Sequence, residues 1–504
     1  MSNVLALRLS SNMDVKDLSG KIEYFQYMED EFVKFTNLLS FPITIILEKT
    51  YVDRTFRDCY YYFYASKHFQ VEKNCQRITL FEGEYTLSDF YNEEKTTKLK
   101  NDIIGTIVIR PLIYGAWGRT LIDPKKLNQK EFYVRTTKYQ QIINGIEFTI
   151  NAYPFSSQDV EVMSCAETSV WTILNYYGTR YSEYRTVLPS EIISEISLIS
   201  KERVLPTQGL TYLQKSNILK KFGFSPRVYS RDVYGDIETK RVFHYYVESG
   251  IPLTISLNNH STVCIGHVKT NSLVSSVDSG LKRTIGGYTF VDSADMHDEY
   301  VIIDDNQFPY KLEKYDQFSI YQTSKKLKLF AVPLNKRIFL EANAAKRIFD
   351  KIIELLFDKI DYIRKYWMVI SKSKSNAVVE RIFLTSSRKY KAFRIRTANN
   401  AKESAFYLDM SFPKFIWVME LTTDLHYDDS DSVVLGEIVL DATASKYSNF
   451  ESIIAIRIGK VLSYRKPDEG SSIVFDRIQL VDEINDHITQ YENNLMKGGK
   501  NVKD

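Results

Sequence analysis

An α+β fold spread over several domains is what this sequence predicts, and three observations carry the prediction. The chain has 504 residues, more than one ordinary hydrophobic core serves, so two or three domains are expected. Residues 151 to 335 read as helices followed by strands, while residues 1 to 150 and 336 to 504 mix the two, giving a central α+β domain between two mixed α/β ones. Apolar residues make up 44% and aromatic residues 13%, enough to bury large side chains along most of the chain and to exclude a disordered one.

The elements follow in order. In residues 1 to 150, "FPITIILEKT", "DCYYYFYASKHF" and "DIIGTIVIRPL" are β-like runs rich in Ile, Val, Tyr and Phe. Arg110 and Arg119 read as surface or inter-domain arginines. The central domain opens with a helix from Cys165 to Tyr177, ended by Gly178. "PSEIISEISLI", "TQGLTYLQKSNILKKFGF" up to Gly223 and "DIETKRVFHYYVESG" up to Gly250 continue it as helices. "IPLTISL", "STVCIGHV", "GYTFVDS" and "EYVIIDD" then read as strands of one sheet or half-barrel. Beyond residue 340, Ile348, Ile352, Leu355, Leu356, Ile360 and Ile363 recur at helical spacing and predict one long amphipathic helix. "VVERIFLTSS", "FPKFIWVMEL", "SVVLGEIVLDAT" and "IIAIRIGKVLSY" read as strands, followed by a polar helix and a frayed tail, "LMKGGKNVKD".

Charge narrows the partners. Lys and Arg number 66 against 63 Asp and Glu, so the molecule as a whole has no bias toward nucleic acid or anionic membrane, and nucleic acid is not an expected partner. Locally, residues 346 to 396 hold 14 Lys/Arg against 5 Asp/Glu, with Tyr366, Trp367 and Tyr390 interleaved. A solvated helix face explains this better than an anionic partner does. The acidic "LHYDDSDS" lacks the Gly and distal Glu of a calcium loop and reads as an exposed turn. Cys59, Cys75, Cys165 and Cys264 show no C-x-x-C pairing, which argues against structural zinc and against a disulfide framework. The opening "MSNVLALRLSSNMDV" is interrupted by Arg8 and does not read as a signal peptide, and no run approaches the ~20 apolar residues that span a bilayer. A cytoplasmic protein without a membrane span is expected, with leaderless export as the alternative.

Chemistry concentrates in "MSCAETSVWTILNYYG". Ser164 is a favoured N-cap and Glu167 stands three residues on, so a capping box starts the helix at Cys165. A thiol at the first helical position faces unpaired backbone N–H groups and the positive end of the helix dipole, which favour thiolate. Cys165 also lies roughly 120° from the apolar face of Ala166, Val170, Ile173, Leu174 and Tyr177, although burial is the commoner fate of a free cysteine. A nucleophilic cysteine needs a base and a group to hold that base. His260 precedes one strand and Asp304, Asp305 and Asn306 end the next long one, so the two meet at one sheet edge if the strands are antiparallel. His267, seven residues on, projects to the opposite face and reads as structural; Cys264 reads as core. His297, near Asp292, Asp295, Asp298 and Glu299, reads as part of a solvated turn, and neither metal nor cofactor is expected.

The order Gln158, Cys165, His260, Asp304 resembles the papain-like cysteine peptidases, and within them the compact bacterial branch that includes the double-glycine leader peptidases. "ESGIPLTISL", "HSTVCIGH" and "YVIIDDN" carry the likeness, which covers residues 151 to 315. It implies helices packed on an antiparallel sheet or half-barrel, Cys165 as nucleophile, His260 as general base and then acid, Asp304 as orienting group and Gln158 as oxyanion donor. A peptide or protein substrate is implied, with the flanking domains choosing it or docking a protein partner. Ala166 stands where the family has Gly, and Asp304-Asp305 where it has Asp-Pro, which leaves the third member open between the two. The same residue set also fits a transglutaminase-like or amidase-like acyl transferase, or an inactive scaffold.

Overall fold

The computed structural model describes residues 3–270, 274–318, 326–371, 377–424, 426–427, 433–445, 450–465, 475–479 and 487–500. The architecture is α+β, with sheets that are antiparallel except for one parallel pairing. The first sheet joins Val4–Leu9, Ile43–Tyr51, Cys75–Glu82, Ile103–Ile109 and Trp117–Ile122 in sequence order. Its side chains alternate between two cores, Ile45 and Leu47 facing Phe32, Phe35 and Phe56, and Ile46 facing Phe90, Leu99 and Phe148. "DCYYYFYASKHF" departs from the strand expectation. Asp53 accepts the Phe56 N–H at 2.9 Å and starts a helix over Arg54–Tyr62, whose 3.6-residue period buries Phe56 and Cys59 together. Capping and periodicity thus override the β preference of its tyrosines.

The central sheet runs Lys311–Lys314, Glu299–Ile303, Ser261–Val268, Leu253–Ser256, Leu329–Val332, Arg227–Ser230. Alternation along Ser261–Val268 sends Val263 and Ile265 to one core with the Cys165–Arg180 helix, and Cys264 to another with the Asp236–Glu248 helix. The Cys165 helix continues two residues past Gly178, which does not cap it. A Cβ on Gly178 would lie 2.2 Å from the Arg185 carbonyl carbon, so glycine there admits the returning chain.

Hydrogen bonding crosses both edges of the 151–335 segment. Phe132–Val134 pairs with the end of Ser261–Val268, and Met496–Gly498 pairs with Phe132–Val134 in turn. Part of the expected frayed tail is therefore a strand. Gly266 makes this possible, since a Cβ there would stand 2.0 Å from the Tyr133 carbonyl oxygen. "GYTFVDS" leaves the central sheet: Tyr288–Asp292 pairs in parallel with Ala377–Ser386, where Phe290 packs edge-on to Phe357 at 5.0 Å. That third sheet continues through Phe415–Thr422, Gly436–Asp441, Ile453–Ile458, Val461–Arg465 and Phe475–Gln479.

The long amphipathic helix is broken. Ala342–Glu354 gives way to a π-helical turn at Leu355–Lys359, and a second helix spans Asp361–Ser371. The wider turn shifts the phase so that Phe357 and Trp367, 5.5 Å apart, enter one core, with the Phe357 carbonyl over Gly286. The expected polar helix near the C-terminus does not form where residues are described: Ile488–Thr489 pairs with Val433–Val434. Of the acidic "LHYDDSDS", only His426 and Tyr427 lie within the described residues.

Two arginines of the basic 346–396 segment are structural, while Lys351, Lys359 and Lys365 lie on exposed helix faces as expected. Arg394, 1% exposed, donates to Glu420 at 2.8 Å, Glu437 at 2.7 Å and the Thr489 carbonyl at 2.6 Å. Arg381 donates to the other Glu420 oxygen at 2.6 Å and to Glu248 at 2.9 Å. Glu248 in turn lies 2.8 Å from His267 Nε2. Buried ions thereby pair in a line from the central sheet into the third one.

Candidate active site

Four elements converge on Cys165. The Ser164 hydroxyl accepts the Ala166 N–H and the Ser164 backbone N–H donates to the Glu167 carboxylate at 3.2 Å, forming the capping box and placing Cys165 at the first helical position. Glu167 is buried and also accepts from the Thr207 hydroxyl at 2.7 Å, tying the loop before the Tyr212–Lys221 helix to this helix start. One turn on, the Ser169 hydroxyl donates to the Cys165 carbonyl at 2.7 Å and lies 3.1 Å from the Ser261 carbonyl. This bridge docks the Cys165-bearing turn against the residue next to His260.

His260 and Asp304 stand at one sheet edge because Val263 pairs with Ile303 in antiparallel register. His260 Nε2 is 2.9 Å from Asp304 Oδ1 and 3.9 Å from Asp305 Oδ1. Cys165 also acts on this ring and favours its charged form. Burial works against a charge on this imidazole, but the hydrogen bonds to Asp304 and Cys165 and the negative charge of the aspartates outweigh it and raise its pKa to about 11. The ring is therefore an imidazolium at neutral pH.

Asp304 is fully buried and satisfied three ways: by His260, by the Asn306 N–H at 3.0 Å and by the Gln307 amide at 3.1 Å. Asp305 is different. Burial, and then the charge of Asp304, push its carboxyl well above the usual range. His260, Asp304 and Asp305 are also the one group among the described residues whose donor atoms lie close enough to share a metal ion.

Gln158 reaches the same place from the other side. Its Nε2 donates to Asn306 Oδ1 at 2.8 Å, which fixes the amide beside the aspartates and leaves its second N–H. The loop that carries it is clasped by Arg110, buried, whose guanidinium donates to the Gly115 carbonyl at 2.6 Å and the Ser157 carbonyl at 2.8 Å. Gly115, at φ +75°, would carry a Cβ 2.1 Å from the Gln158 carbonyl oxygen. Arg110 is thus a brace between the first sheet and the Gln158 loop, and Arg119 bonds to Asp53 at 3.1 Å. A cavity of about 210 Å³ opens beside Gln158, walled by Tyr27, Tyr114, Trp117 and Val160.

The other candidates lie elsewhere. Cys59, Cys75 and Cys264 are buried, and burial pushes all three thiols up, whereas Cys165 is part-exposed. His267 packs on the opposite side of its strand with His244 and His297, the last two rings stacked at 4.5 Å. Burial lowers His244 to about 3 and His297 well below its ordinary value. The acids around His297 are engaged apart from it, Asp295 by Arg241 at 2.6 Å and Asp292 by the Tyr245 hydroxyl.

Lys215 is the residue that sequence reasoning missed. It is buried on the Tyr212–Lys221 helix, donating to Ser256 Oγ at 2.6 Å and Ser261 Oγ at 3.0 Å. A signal existed, because Lys215 shares an i, i+3, i+4, i+7 stripe with Ile218, Leu219 and Phe222. No protein-family model matches the chain, and no curated protein matches it.

Proposed function

We propose that this chain is a thiol-dependent acyl-transfer hydrolase, a cysteine peptidase with a papain-like central arrangement and a Cys165, His260, Asp304 triad. The observation that carries the reading is the His260 ring, held at Nε2 2.9 Å from Asp304, with Cys165 among the groups that favour its charged form. A cysteine-led helix packed on an antiparallel sheet, with the base at the start of one strand and the acid at the end of its neighbour, supports the same reading. A His260 turned away from the sulfur would favour a scaffold without chemistry; its contact with Cys165 favours the enzyme.

The charge state refines the roles. An imidazolium at His260 favours attack by Cys165 as the thiolate, which forms a C–S bond with the carbonyl carbon while the carbonyl π electrons move to oxygen. The Cys165 backbone N–H and the second Gln158 N–H are the donors for that oxyanion. His260 then acts first as acid, giving its proton to the leaving nitrogen as the C–N bond breaks and the thioester forms. In the second half it takes a proton from the attacking water, the C–S bond breaks, and the carboxylic product leaves. Asp304, fixed by three donors, keeps Nε2 engaged throughout.

The test is to expose denatured protein mixtures to the enzyme and map new N-termini by mass spectrometry. New termini formed by the wild type and absent with Cys165→Ala are expected; none above that control would overturn the peptidase reading, and ammonia release or isopeptide cross-links would identify an amidase or transglutaminase in its place. In the same assay Gln158→Ala is expected to lower turnover about 100-fold, the ~3 kcal/mol typical of one oxyanion donor, with an unchanged melting temperature.

A further inference from the structure

The Tyr212–Lys221 helix buries a lysine where a solvated one would be free. Lys215 is 2% exposed, and among the described residues it makes no ion pair. Its ammonium is held by two neutral hydroxyls, Ser256 at the end of Leu253–Ser256 and Ser261 at the start of Ser261–Val268. These two residues face each other across the strand pair, and His260 lies beside them in sequence. An unpaired buried cation is costly unless an anion offsets it. The groups that act on this one are Cys165 and Glu167, both on the first turn of the nucleophile helix.

We propose that Lys215 is a positioning residue of the site, a fixed cation beneath the nucleophile turn that favours Cys165 as thiolate and holds Ser261, and with it the His260 end of the strand, in register. The inference rests on Cys165 being the nucleophile. Burial lowers the lysine's pKa to about 8, and the charges of Cys165 and Glu167 act to raise it, so the cation is present at neutral pH and its charge depends on its neighbours. The groups that face it can be named. From the nucleophile helix come Cys165 and Glu167, and from the strand pair Ser256, Ser261 and the adjoining His260. On the Pro189–Ile199 helix Glu195 is engaged by Lys221 and Glu191 by Arg185, so neither serves as its counter-ion.

Alkylation by iodoacetamide tests this without a substrate. The rate at Cys165 is followed by peptide mass spectrometry from pH 5 to 10 in the full-length wild type, Lys215→Met, Lys215→Gln and Lys215→Arg. Both neutral variants are expected to alkylate about tenfold more slowly at pH 6, with the onset of reactivity moved up by about one pH unit. Lys215→Arg is expected to keep the wild-type onset. If Lys215→Met does not fold, Lys215→Gln, which still reaches both serines, carries the comparison. A folded neutral variant with the wild-type profile would overturn the proposal, as would an onset moved equally by Lys215→Arg, since packing and not charge would then be at work. A wild-type Cys165 that does not react at all would overturn the proposed function as well.

Discussion

His260→Ala is expected to lower peptide turnover by about 10⁴-fold or more, because removal of one triad member disables the group as a unit. The loss should fall on kcat, with KM little changed, since His260 stands behind the sulfur and not along the Gln158 cavity. The same substitution has a thermodynamic signature. The pKa of His260 is about 11 when folded against ~6.5 for an unfolded histidine, so the folded state binds its proton more tightly. Stabilisation by the imidazolium is fully present below pH ~6.5 and is lost as the pH rises through 11. The stability gap between wild type and His260→Ala should therefore be widest near pH 6 and shrink steadily toward pH 11, as read by urea unfolding at each pH. A gap that widens with pH would mean that the ring is neutral in the folded protein.

Arg394→Met should be the most damaging change to the fold. It leaves Glu420 and Glu437, 1% and 2% exposed, without their shared cation, and removes the donor to the Thr489 carbonyl. Breaking a buried ion pair from one side costs about 3–5 kcal/mol, mostly the penalty of the charges left behind. Arg381 still reaches Glu420, whereas among the described residues Glu437 keeps only the Tyr407 hydroxyl at 2.8 Å, so Glu437 is the more exposed to that penalty. Adding Glu437→Gln to Arg394→Met is accordingly expected to recover part of the stability in chemical denaturation. A single mutant as stable as wild type would show that the network contributes no net stability.

How far the sequence discloses this molecule depends on the range of each interaction. The capping box at Ser164 and Glu167, and the strand on either side of Cys264, are set within a few residues and read directly. The Asp53 cap was equally local, but the tyrosines after it masked it. Gly178 and Gly266 illustrate the opposite case, since their purpose is the close approach of Arg185 and Tyr133, which no local pattern contains. The same holds for the break at Leu355–Lys359, imposed by packing of Phe357 against a hairpin some seventy residues earlier. In the site, residue order was enough to nominate Cys165, His260, Asp304 and Gln158. The different settings of Asp304 and Asp305 depend on burial and on donors from Asn306 and Gln307, and the reach of Arg110 and Lys215 depends on tertiary contacts.

Covalent labelling gives the most direct measurement. The full-length protein treated at pH 7 with a peptidyl fluoromethyl ketone, then digested and mapped by mass spectrometry, should carry one adduct on Cys165, lost in His260→Ala, with Cys59, Cys75 and Cys264 untouched in their buried sites. An adduct distributed over those three cysteines, or labelling of Cys165 that is indifferent to His260, would contradict a Cys165–His260–Asp304 catalytic centre.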